Sequence, residues 1–154
     1  MTLKQNVIDK MNHAMEEVLR SAKKMPADKL TWSVNDAGRT PLNMLQELGV
    51  LAPWGAKLLK EREMGPFGEE QFKEYNAAME ALDTLEKCEA AIRAGTEKTA
   101  QAINETPDSD WEITVAMPWG DKTLLDIAQF NAWNCDYHLG QINFIQTLYG
   151  DKDM

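Results

Sequence analysis

Residues Thr123 to Gly150, TLLDIAQFNAWNCDYHLGQINFIQTLYG, carry the clearest helical signal in the chain. It opens on Thr123 with Asp126 three residues later, the spacing of a capping box, and no proline interrupts it before Gly150. Ala128, Cys135, Ile142 and Ile145 form one apolar row, and Phe130, Trp133, Tyr137 and Phe144 form another. Between them Asn131, Asn134, His138 and Gln141 recur at intervals of three, four and three, so they share one line along a helix. A helix apolar on both sides of such a line reads as buried nearly all round, with its polar groups facing partners or a pocket inside the protein.

Three further segments carry helical periodicity. Thr2, with Gln5 three residues on, caps a helix with the stripe Leu3, Val7, Met11, Ala14 or Met15, Val18 and Ala22, about six turns long before Pro26 stops it. Thr40 and Pro41 open a second helix as cap and first residue, with Leu42, Leu45, Leu48, Ala52, Ala56 and Leu59 as its stripe and Pro53 predicting a kink or break. After the turn at Gly65-Pro66-Phe67-Gly68, residues 69 to 104 look helical throughout. One helix there would be roughly 54 Å long, far beyond its partners, so Ala94-Gly95-Thr96 is the expected break. Two long connections remain, about 25 to 39 and 105 to 122. Trp111 to Val115 in the second is rich enough in β-branched residues for a short strand, but one strand makes no sheet. The expectation is one all-α domain over residues 1–154, a four-helix bundle with two long loops.

Composition narrows the partners. Of 154 residues, 16 are basic and 25 acidic, for a net charge of −9. Residues 1–60 carry 9 basic against 6 acidic groups, so residues 61–154 carry 7 against 19. Such a chain repels phosphate backbones and anionic lipid, and nucleic-acid or membrane-surface binding is not expected. The N-terminus shows no signal-peptide pattern, and the most apolar stretch, Leu124 to Tyr149, holds too many polar groups for a bilayer. Two cysteines, Cys88 and Cys135, make no disulfide framework and fit a reducing, cytoplasmic compartment. Both read as packed and inert, and His13, opposite its helix's apolar stripe, reads as solvated. Gly-rich phosphate loops, Gly-x-Ser-x-Gly, His-Glu-x-x-His and Cys-x-x-Cys are all missing from the sequence, which removes the main signatures of those enzyme classes.

On the second helix, Met44, Glu47, Leu51, Trp54 and Leu58 form a row in which Glu47 is the only charge. Its carboxylate either faces His138 across the bundle or sits in water at the core margin.

The segment NCDYHLGQINFIQTLYGD, centred on Tyr137-His138-Leu139-Gly140-Gln141-Ile142, resembles the final helix of DinB-like proteins. The likeness extends to Leu30-Thr31-Trp32-Ser33, to GRTPLNMLQEL at the start of the second helix, and to Pro118-Trp119-Gly120. The resemblance implies a four-helix bundle, commonly homodimeric, with a divalent metal held by one histidine of the second helix and two of the last, in a His-x-x-x-His-x-Gly-Gln pattern. Characterised members are thiol-dependent, such as bacillithiol S-transferases and mycothiol-dependent maleylpyruvate isomerases. Many others are known only as metal-dependent hydrolases without an assigned substrate.

Carried over position by position, His138, Gly140 and Gln141 match that pattern. Asn134 replaces the first histidine, and Glu47 corresponds to the second-helix ligand within one or two positions of alignment. A neutral carboxamide is a weak ligand for zinc or nickel, so the expectation is loss of the family metal, with manganese or magnesium the ions such a set could hold loosely. Three functions stay open. One is a metal-assisted transferase or hydrolase using Glu47, Asn134 and His138, with a low-molecular-weight thiol as co-substrate and Gln141 supporting the ligands. Another is a metal-free bundle holding a small apolar or amphipathic ligand among Trp54, Trp133 and Tyr137. The third is a dimeric interaction protein whose polar line sets helix register.

Overall fold

The computed structural model describes residues 1–152. Local chemistry sets most of the helix starts. Thr2 accepts a hydrogen bond from the Gln5 amide and begins α1 (Leu3–Lys24), which ends where Met25 turns extended before Pro26. A single turn, α2 (Ala27–Leu30), lies in the first long connection. Thr40 caps α3 (Pro41–Leu51) through the Asn43 amide. The break at Pro53 falls where expected, and α4 (Trp54–Glu61) continues the same bundle position until Arg62 adopts a left-handed conformation with φ of 58°. Next come α5 (Glu69–Ala81) and α6 (Leu85–Glu105), and the capping box at Thr123 and Asp126 starts α7 (Leu124–Leu148).

The bundle is built from α1, the broken pair α3 and α4, α6 and α7, with α5 lying outside and packing chiefly on α3. The core has two parts. Val7, Met11, Leu58, Ile103, Trp111 and Leu124 fill one end, and Val18, Leu19, Leu45, Leu48, Ile92 and Ile142 fill the other. His13 is exposed, and both cysteines are buried and free. None of the described helices is long and apolar enough to cross a membrane.

Three expectations need correction. The break in the 69–104 segment falls at residues 82–84 instead of Ala94-Gly95-Thr96, because Thr84 supplies a true cap, accepting from the Lys87 amide at 3.2 Å. Gly95 lies buried inside α6, where it acts as a notch: a Cβ there would stand 2.5 Å from Ala52 Cβ and 2.7 Å from the Pro53 backbone nitrogen. The second long connection holds a 3-10 turn (Asp108–Asp110) and a minimal antiparallel pair, β1 (Thr114–Val115) with β2 (Lys122–Thr123). The expected lone strand therefore finds its partner in the two residues that lead into α7. Finally, α7 is not buried all round. Trp133, Tyr137 and Phe144 are 58%, 52% and 63% exposed, since the bundle covers only the side bearing Ile127, Cys135, His138 and Ile142.

Candidate functional site

The polar line of α7 is buried at Asn131, Asn134 and His138, and its members find different surroundings. Asn131 Nδ2 donates to the Ala52 carbonyl at 2.7 Å, and Thr99 Oγ1 of α6 donates to the same oxygen at 2.8 Å. That carbonyl sits at the break before Pro53, where the regular helical pattern is interrupted, and the two side chains satisfy it. Asn134, one turn on, borders an internal cavity of about 10 Å³ together with Thr96, Asn131 and Leu48. No hydrogen bond joins it to Glu47 or His138.

His138 is fully buried and meets Glu47 across the bundle. Its Nε2 lies 3.1 Å from Glu47 Oε1, and its Nδ1 lies 2.7 Å from Gln141 Oε1. The second carboxylate oxygen, Oε2, accepts from Arg39 Nη1 at 2.7 Å. Arg39 is itself fixed by Asn43, donating to Oδ1 at 2.7 Å and to the backbone carbonyl at 3.2 Å. The Glu47 carboxyl is held down at about 2: the hydrogen bond from His138 lowers it most, burial opposes this, and Arg39 adds to the lowering. An ionised carboxylate only accepts, so His138 Nε2 carries a proton. Tyr75 of α5 is pushed above the ordinary phenol range by burial and then by the Glu47 charge, which places it beside this chain.

The donor set fits a metal ion poorly. An Nε2 that donates its N–H to Glu47 has no lone pair for an ion, both carboxylate oxygens are engaged, and a guanidinium 2.7 Å away opposes a dication electrostatically. Asn134 borders the inner cavity instead. Among the described residues no group of three His, Cys, Asp or Glu stands close enough to hold an ion. The expected ligands thus divide, with Glu47 and His138 brought together and Asn134 apart.

Glu47 also borders an open cleft of about 1150 Å³ between α3, α4, α5 and α7. Trp54 and Trp133 are among the residues that line it. Tyr137 and Gln141 do not. Tyr137 stacks on Trp133 at 5.5 Å farther along the helix, and Gln141 serves His138. Sequence reasoning missed Arg39, whose signal was its place just before the Thr40-Pro41 cap. It also missed Phe130 of the aromatic row on α7, Phe67 and Trp119, whose neighbouring prolines and glycines were the available cue, and Phe72 in the first turns of α5.

No family model matches the chain, and no curated protein does. Among solved structures the chain is similar to YfiT from Bacillus subtilis, described as a probable metal-dependent hydrolase with an unusual four-helix bundle topology. The TM-score is 0.77 over 97% of this chain and 90% of that one, at 16% sequence identity. The two share the same bundle fold.

Proposed function

We propose that the chain is a DinB-like bundle whose metal centre has been replaced by the hydrogen-bonded chain Arg39–Glu47–His138–Gln141, and that it binds a small, largely apolar molecule in the aromatic cleft. The observation that carries this reading is the full engagement of Glu47, one carboxylate oxygen with His138 and the other with Arg39. A guanidinium supplies the positive charge that an ion would otherwise bring, and Gln141 keeps the imidazole oriented. The cleft, far larger than the inner cavity and open at Glu47, provides concave apolar surface with a few polar groups at its edge, as small-molecule sites do. On this reading no metal is available to activate a thiol, and the reactions of thiol-dependent relatives are not carried over.

Elemental analysis of protein purified without added metal, followed by calorimetric titration with zinc, nickel and manganese, tests the reading. The expected result is no stoichiometric ion and no uptake at micromolar concentration. An ion bound one to one, and lost in His138→Ala, sinks it. Replacing Glu47 and Asn134 together by histidine, with Arg39→Ala to remove the competing charge, is expected to create zinc or nickel binding.

A second reading, homodimerisation through α7, is favoured by the exposed row Trp133, Tyr137, Phe144 and Leu148. Sedimentation checks it: a monomer at all concentrations rules out the dimer and leaves the cleft reading untouched.

A further inference from the structure

The cleft's two walls are aromatic in different ways. On the bundle side the rings of Phe67, Trp119, Trp54, Phe130 and Trp133 follow one another in contact, with successive centroids 5.9, 6.5, 5.3 and 5.8 Å apart. They come from the connection before α5, the loop after β1, the start of α4 and the middle of α7, so the continuous band is a product of the fold. On the other side α5 presents Phe72 and Tyr75, stacked at 6.3 Å. α5 buries only Met79, so this wall can adjust to what lies between.

The charges around this space do not cancel. Five charged side chains border it: Glu47, Glu74 and Asp126, against Lys57 and Lys122. Glu47 is offset by Arg39. The Lys57 ammonium is 3.8 Å from Glu61, and Lys122 lies close enough to Asp126 to act on its charge. Glu74 has no ion-pair partner among the described residues. Aromatic faces attract cations through their quadrupole, and a net charge of −9, with its acidic excess in residues 61–154, steers cations toward the molecule and anions away.

We propose that the cleft is a site for a lipophilic organic cation, a molecule with a bulky aromatic or aliphatic body and a single delocalised or quaternary positive charge. The body lies against the ring band, α5 closes over it, and Glu74 faces the charge. The inference rests on the reading of the cleft as a ligand site and adds the ligand's charge.

Tetraphenylphosphonium and tetraphenylborate, nearly equal in size and opposite in charge, make the test. In calorimetric titrations at low salt the phosphonium is expected to bind at least about ten-fold more tightly. Glu74→Lys is expected to remove most of that preference, and Trp133→Ala to weaken phosphonium binding several-fold; both residues are exposed, so both variants should fold. Equal affinity for the two probes, tighter borate binding, or phosphonium binding indifferent to both substitutions overturns the cation assignment. Failure of both probes to bind at millimolar concentration removes the cleft as a ligand site as well.

Discussion

Asn131 and His138 lie two turns apart on one line of α7, both almost wholly buried, and the fold uses them in opposite ways. Asn131 looks inward. Together with Thr99 it satisfies the Ala52 carbonyl at the helix break, a neutral arrangement sealed inside the bundle. His138 looks across to a helix margin, where it joins two ionisable groups and the edge of the cleft. The same residue spacing thus supplies a structural brace at one level and a charged node at the next. The difference comes from what α3 and α4 present opposite: a carbonyl freed at Pro53 in one case and Glu47 in the other.

Acid separates the two levels most strongly. The Glu47 carboxyl titrates at about 2 in the folded chain against an ordinary 4.5. Its contribution is therefore complete above pH 4.5 and is lost as pH falls from 4.5 toward 2, amounting to roughly 3 kcal/mol. Denaturant unfolding from pH 7 down to pH 2.5 should show Glu47→Gln lacking that share of the acid loss. Asn131→Leu should retain it, since no charge is involved at that level. Parallel acid profiles for wild type and Glu47→Gln would show that the node does not hold the carboxylate as described.

The next effect probes the brace from the α6 side. Gly95→Ala gains about 1 kcal/mol of helix propensity, but its methyl would overlap Ala52 and the Pro53 backbone, which cannot move without shifting the break. The expected net cost is about 2 kcal/mol by thermal or chemical unfolding, and a neutral result would mean that the helices separate easily there. Thr99→Val combined with Asn131→Leu leaves the Ala52 carbonyl without either donor, for a loss of about 1–3 kcal/mol. Either single substitution should cost clearly less, because one donor remains.

How much of this was legible in the sequence depends on the range of the interaction. Thr2, Thr40-Pro41 and the Thr123–Asp126 box act within four residues, and the helices begin where they say. Pro53 likewise broke its helix, since a missing amide needs no partner to be felt. Gly95 misled because a glycine kept for close helix contact looks, residue by residue, like one that ends a helix. The facing of Glu47 and His138 was readable as a possibility from the two apolar rows. Arg39 was not, because it reaches Glu47 from a loop whose path the periodicity does not describe. Apolar spacing on α7 likewise identified two faces without saying that neighbouring helices would cover only one.

The smallest effect concerns Cys135, which lies one turn before His138 and tempts a nucleophile reading. Burial, with a smaller contribution from the Asp136 charge, pushes its thiol up to about 12, and burial with the Asp83 charge pushes Cys88 up to about 11. Both ring nitrogens of His138 already meet other partners, Glu47 and Gln141, and no hydrogen bond joins the ring to the thiol. Iodoacetamide at pH 8 should therefore label neither cysteine in the folded chain and both once it is unfolded. Cys135→Ala should leave probe binding in the cleft within about two-fold of wild type, since Cys135 borders the inner cavity and not the cleft. Rapid alkylation of Cys135 in the native protein would show that the bundle does not shield the thiol as described.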